Sequence, residues 1–174
     1  MLHHEIYFYT ATIKDWKPLI KKYNLYDVIL QSLSYLSNKQ CIKVYGFVIM
    51  PNHIHLIWEM LKPNGKEAPV SSFMKFTAHT FEQNLRKNNP DELKHYAINS
   101  KSRKFNFWQL EPDQFLLYKA ETIAQKLNYI HNNPLQEHWQ LVNDPLVYPY
   151  SSIRFYELGE NKFDFLHDYR DWQG

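Results

Sequence analysis

The sequence predicts an α+β fold, an antiparallel sheet with helices packed on one or both faces, close to the split β-α-β arrangement. Three observations carry this expectation. A strand hairpin is written into YGFVIMPNHIHLIWEM, Tyr45 to Met60, where two β-branched apolar runs flank Met50-Pro51-Asn52, residues that favour a turn. Strand-like runs and stretches of helical period follow one another in the order β-α-β-β-α-β-α. The chain holds only four glycines and no Gly-rich phosphate loop, which argues against a doubly wound nucleotide-binding fold.

Glu5 to Ile13 alternates Ile or Phe with Tyr and reads as a first strand beside the hairpin. After a polar stretch containing Pro18, Leu25, Ile29, Leu33 and Leu36 recur at helical spacing, predicting a helix over about 25–36 that lays one face on the sheet. The hairpin strands follow, Cys41 to Met50 and Ile54 to Met60. Pro63, Asn64-Gly65 and Pro69 turn the chain, and Ser71 or Ser72 is placed to cap a second helix over 72–87 with Phe73, Phe76, Thr77, Phe81 and Leu85 on its apolar side. Residues 88–104, polar and basic after Asn88-Asn89-Pro90, read as a long loop. Phe105 to Gln109 alternates aromatic and polar residues and is expected to be the strand that closes the sheet. A third helix runs from Tyr118 to Asn132 with Ala120, Ile123, Ala124, Leu127 and Ile130 as its apolar set, ended by Asn132-Asn133-Pro134. The aromatic stretch from Leu135 to Tyr156 is expected to wrap back over the domain. We expect one domain over 1–174, with 135–174 as a C-terminal wrapping segment and tail.

Composition bounds the function. At 174 residues and 44% hydrophobic content the chain can bury a proper core. No apolar run approaches the ~20 residues needed to cross a bilayer, and MLHHEIYFYT lacks a signal-peptide pattern, so the expectation is a cytoplasmic protein with no membrane partner. The single cysteine, Cys41, excludes an intramolecular disulfide framework and leaves His, carboxylate or amide groups for any metal chemistry. The formal charge of +2 is small but uneven: Arg86, Lys87, Lys94, Lys101, Arg103 and Lys104 crowd one segment, whereas 157–174 is acidic.

The chemistry starts at the second hairpin strand. Side chains alternate along a strand, so His53 and His55 point the same way with Cα atoms roughly 6.5–7 Å apart, and two imidazoles can grip one cation. On the third helix Tyr129 and Asn133, four residues apart, share a face, while His131 lies about 200° round. If that face packs near the hairpin, His53, His55 and the Asn133 oxygen make a three-ligand set with open positions, suited to Mg²⁺ or Mn²⁺ bound partly by a substrate phosphate. Tyr129 would attack phosphorus to give a covalent phosphotyrosine. Taken singly, each has a structural alternative: an imidazole satisfied within the sheet, an ordinary helix tyrosine, a helix-terminating Asn.

The segments MPNHIHLIW (50–58), FWQ (107–109), YIHNNPL (129–135) and YPYSS (148–152) resemble, in order, those of the IS200-type Y1 transposases and more closely the REP-associated tyrosine transposases, HUH single-strand DNA endonucleases. The resemblance runs from about residue 5 to 156. It implies a ferredoxin-like core, His53 and His55 as the histidine pair, Tyr129 as nucleophile, Asn133 as third ligand, and a divalent metal. It also implies cleavage and strand transfer of single-stranded DNA near hairpins by a monomer or homodimer. The chain departs from relatives at Leu135 to Val142, where Glu137 replaces positive charge, and after FWQ, which continues Leu110-Glu111-Pro112-Asp113.

Single-stranded DNA would be followed by cations and stacked on aromatic rings. The candidates are Arg86, Lys87, Lys101, Arg103 and Lys104, with Trp108 or Tyr150 as stacking residues. Two other readings stand beside the transposase: a domesticated DNA-hairpin-binding module without catalysis, and a metal-dependent hydrolase in which water attacks a small phosphoester.

Overall fold

The computed structural model describes residues 5–100 and 104–172. Four strands, β1 (Ile6–Thr12), β2 (Ile42–Ile49), β3 (His53–Met60) and β4 (Asp113–Leu117), form one sheet in the order β2-β3-β1-β4, and every neighbouring pair is antiparallel. This is the ferredoxin-like order expected from the sequence. The helices are α1 (Leu19–Lys22), α2 (Tyr26–Asn38), α3 (Pro69–Asn88), α4 (Pro90–Leu93), α5 (Ala120–Asn132) and α6 (Ile153–Leu158). None among the described residues is long and apolar enough to cross a membrane.

The sheet is the middle layer. On one face Tyr7, Tyr9, Ala11, Ile54, Leu56 and Trp58 meet Ile29, Leu33 and Leu36 of α2 and Phe73, Phe81 and Leu85 of α3 in one buried cluster. On the other, Ile6, Phe8, Val48 and Ile57 meet Ile123, Leu127 and Ile130 of α5. Each such side chain, fully buried, contributes about 1.5–3 kcal/mol. The alternation that sends Ile54 and Leu56 to the first face sends His53 and His55 to the second, beneath α5. The register sets Thr10 opposite His55 on one side and opposite Asp113 on the other. Between Val44 and Gly46 the pairing of β2 with β3 slips, leaving Tyr45 as an extra residue. There α5 lies so close that a Cβ on Gly46 would stand 2.3 Å from Leu127 Cδ2.

Three expectations need correction. The closing strand is Asp113–Leu117, and Phe105 to Gln109 makes only isolated bridges, Ile13 with Trp108 and Ala97 with Phe105. Phe107 and Trp108 are adjacent yet both turn into the core, their ring centroids 5.9 and 5.7 Å from Phe81, which strand alternation forbids. Helix α3 begins at Pro69 with Ala68 at its N-cap and no side-chain cap, because Pro suits the first helical position; Ser71 and Ser72 lie inside it. Residues 88–104 are not one loop, since α4 and a 3₁₀ turn at Lys94–Tyr96 bury Leu93 and Tyr96. The segment after α5 contains α6, which the sequence reading missed.

That segment runs along the outer edge of β2. Ile49 N–H donates to the Tyr150 carbonyl at 2.9 Å, Ser152 N–H to the Phe47 carbonyl at 3.0 Å and His167 N–H to the Val44 carbonyl at 2.9 Å. Edge backbone groups that would otherwise template another strand are thereby satisfied.

Candidate functional site

His53 and His55 open β3 and lie beneath α5, each 6% exposed, their ring centroids 4.8 Å apart at 76°. Neighbours fix both rings. Asn52 Nδ2 donates to the Trp16 carbonyl at 2.9 Å, which orients the amide so that its oxygen faces His53 Nδ1 at 2.7 Å. An amide oxygen can only accept, so Nδ1 carries the proton and Nε2 keeps its lone pair. His55 Nδ1 hydrogen-bonds the Thr10 hydroxyl at 2.8 Å, which likewise leaves Nε2 to face the site. Burial pushes His53 down to about 4, helped by His138, and His55 down to about 3, helped by His53 and Lys126. Both imidazoles are therefore neutral near pH 7, the form that ligates metals.

Helix α5 brings in the other two groups. Asn133, its C-cap, keeps helical φ and ψ of −56° and −40°, so it stays on the face of Tyr129 before Pro134 tightens the chain into a 3₁₀ turn. Its amide nitrogen faces His55 Nε2 at 3.5 Å, and its buried Oδ1 has no hydrogen-bond partner among the described residues. A buried acceptor left unpaired costs about 1–3 kcal/mol, which a bound water or cation would recover. Tyr129 is 44% exposed, its ring 5.6 Å from that of His55. His131 turns the opposite way, buried, with Nε2 2.9 Å from Ser152 Oγ. That contact joins the YIHNNPL and YPYSS segments through the core.

These groups line one cavity of about 610 Å³, together with Trp16, Phe115, Lys126 and Trp139. Phe8 and Phe115 stack at 5.1 Å to make an apolar wall. The Lys126 ammonium stands 5.6 Å from the Tyr129 ring centroid and 4.9 Å from that of Phe115. The cavity so combines lone-pair donors, a phenol in reach of solvent and one cation. Among the described residues no trio of His, Cys, Asp or Glu is placed to hold a metal, so a cation beside the two imidazoles would need an amide oxygen, and Asn133 lines the same cavity.

The sequence-derived DNA contacts fare differently. None of Arg86, Lys87, Lys104, Trp108 and Tyr150 lines this cavity. Arg86 pairs with Glu82 at 2.5 Å and lies over the Phe105 ring, Lys87 is exposed, and Lys104 lines a separate cleft along α3. Lys101 and Arg103 lie outside the described residues. Trp108 is corrected: it is 3% exposed, with its indole N–H donating to Thr77 Oγ1 at 3.0 Å, and presents no face to a base. Tyr150 is half-buried, and one face of its ring stacks on Tyr26 at 3.6 Å and 3°. The sequence reading missed Lys126, although it sits one helical turn before Tyr129 on the same face. It also missed Thr10, Asn52, Trp16 and Trp139, which only strand register and tertiary folding bring here.

No family model matches the sequence. A Haemophilus influenzae protein named "putative REP-associated tyrosine transposase" is 28% identical over 155 residues, 85% of this chain and 79% of its own length. Among solved structures, that of a REP-associated tyrosine transposase bound to a REP hairpin matches with a TM-score of 0.61 at 16% identity, covering 99% of this chain and 91% of the other. That likeness shows a shared fold.

Proposed function

We propose that this chain, which resembles the REP-associated tyrosine transposases in sequence and in fold, is a transposase-like protein that acts on hairpin-bearing DNA. More finely, we assign it single-stranded DNA cleavage and strand transfer through a 5′-phosphotyrosine, with hairpin DNA as partner and Mg²⁺ or Mn²⁺ as cofactor. The observation that carries the reading is the meeting, in one cavity, of the half-exposed Tyr129 ring with two neutral imidazoles and the unpartnered Asn133 oxygen.

The donor set fits a divalent cation: His53 and His55 would hold it through Nε2 and Asn133 through Oδ1. Once bound, that cation supplies Lewis-acid polarisation of the scissile phosphate. Asn52 holds His53 in the ligating tautomer, and Thr10 holds the orientation of His55. Lys126 places a positive charge beside Tyr129, where phosphate oxygens would lie. Tyr129 Oη forms a bond to phosphorus and releases its proton to solvent, while the bond from phosphorus to the 3′-oxygen breaks. The leaving oxygen takes up a proton, so the products are a 5′-phosphotyrosine and a free 3′-hydroxyl. Attack of a 3′-hydroxyl on the phosphotyrosine reverses the step and joins strands.

The test is incubation of labelled single-stranded hairpin oligonucleotides, drawn from DNA flanking the coding region, with protein and Mn²⁺ or Mg²⁺, followed by denaturing gels. A covalent protein–DNA adduct that vanishes with chelator and in Tyr129→Phe is the expected result. Nicking retained by Tyr129→Phe would sink Tyr129 as nucleophile, and hairpin binding without an adduct would leave a binding module.

A further inference from the structure

We infer that Trp16 is a stacking platform for a single unpaired nucleobase of the DNA strand beside the scissile phosphate, so that the cavity reads a base as well as a phosphate. The inference rests on the proposed DNA-cleaving function and extends it.

Trp16 ends the 3₁₀ turn that follows β1, and at 62% exposure its indole is among the most exposed large apolar side chains of the described residues. It nonetheless lines the cavity that holds His53, His55 and Tyr129. Its backbone is held in an unfavoured conformation, for Asp15 and Trp16 have φ of 57° and 56°, the left-handed region that bulky residues seldom enter.

The turn is tied on several sides. Trp16 N–H donates to the Ile13 carbonyl at 3.0 Å, Lys14 N–H to the Phe107 carbonyl at 2.7 Å and Ile13 N–H to the Asn52 carbonyl at 2.8 Å. The Trp16 carbonyl accepts from Asn52 Nδ2 at 2.9 Å. The other end of that amide orients His53. One side chain thus ties the backbone that carries the indole to the imidazole of a proposed metal ligand, so that a base platform and a phosphate site share one anchor.

Other chemistry at the same place agrees. Trp139 also lines the cavity, its ring 5.6 Å from that of His53, and Gln136 and His138 add polar groups able to meet a base edge. Every nucleobase offers a π-face, so an indole open to solvent binds single strands with little regard to sequence. A paired base in a duplex keeps its faces stacked on its neighbours, so the ligand is an unpaired nucleotide flanking the hairpin. Of the aromatic candidates read from sequence, Trp108 is buried and Tyr150 is half-buried with one face stacked on Tyr26, and neither lines this cavity.

The test uses the full chain carrying Tyr129→Phe, which holds DNA uncleaved, with Mg²⁺ and hairpin oligonucleotides whose single-stranded flanks carry one abasic residue at successive positions. Affinity is measured with and without Trp16→Ala and Trp16→Phe, after thermal melts establish that each variant folds. Trp16→Ala should weaken binding of the unmodified oligonucleotide by about fivefold to a hundredfold, the usual range for losing one stacked base. One abasic position should reproduce that loss, the two changes together should cost no more than either alone, and Trp16→Phe should restore most of the affinity. Equal affinity for Trp16→Ala, or a further loss of the same size at every abasic position, would overturn the platform. Either result with the covalent adduct intact in the Tyr129 protein would leave the cleavage reading standing. If the parent protein binds none of the oligonucleotides, the DNA reading fails and the platform falls with it.

Discussion

Asn133 shows what a single side chain can disclose. Its buried Oδ1 lacks a partner among the described residues, so Asn133→Ala should leave the urea midpoint nearly unchanged, because it removes an unsatisfied acceptor along with its packing. The same variant should form far less adduct, and a large loss of stability instead would show that the amide is structural. Thr10→Val keeps shape but removes the hydroxyl on His55, and adduct formation should fall about 10- to 100-fold, as when a metal-binding His loses its orienting partner. The buried histidines also make stability depend on pH. His53 and His131 are pushed down to about 4 and His55 to about 3, each first by burial, so the unfolded chain binds more protons than the folded one below pH 6.5. Their contribution is therefore complete above pH 6.5 and is lost as pH falls toward 4 and 3. Thermal melts across this range should drop with acidification, and His131→Gln should flatten the drop. His53, His55, Tyr129 and Asn133 were legible in the sequence because strand and helix periods fix which residues share a face. Thr10 was not, since a register across 45 positions of chain is set by the whole sheet.

At the scale of elements, the close approach of α5 to β2 carries the site. Gly46 is the residue that lets it happen: any Cβ there meets Leu127 Cδ2, and Ile130 Cδ1 is next at 3.4 Å. Gly46→Ala should cost about 1–3 kcal/mol of stability by overpacking, read as a lower urea midpoint. Combined with Leu127→Ala, which makes room, the two changes should cost less than their sum, and strict additivity would refute the contact. Helices α2, α3 and α5 were readable from period alone because their buried faces repeat every three or four residues, whereas α4 and α6 are too short to show a period. Strand β4 was not, because Asp113, Gln114 and Phe115 are all exposed and an edge strand with no inward alternation has no signature. Phe105 to Gln109 offered a false one, where aromatic residues serve as core anchors and not as strand faces.

For the molecule as a whole, the stretch after α5 acts as a cover. It satisfies the outer edge of β2, and Tyr148 Oη donates to the Ile49 carbonyl at 2.7 Å. A chain ended before Tyr148 should leave β2 open and associate at micromolar concentration, seen as a rise in light scattering that the full chain lacks. The wrap itself was foreseeable from its aromatic content; its path along β2 was not, because isolated backbone bridges leave no pattern in side chains. Helix α5 has a last consequence. Tyr129 and Asn133 ride on one rod, so the spacing between the proposed nucleophile and the amide is set by helix pitch, about 6 Å for four residues, and works as a gauge block that no change in packing can stretch. The gap from that rod to the histidine pair has no such standard: it is a fitted clearance, held by Leu127 resting on Gly46. Wear at that joint would carry both groups away as one body, so tolerance of the machine is decided by a residue that touches no substrate.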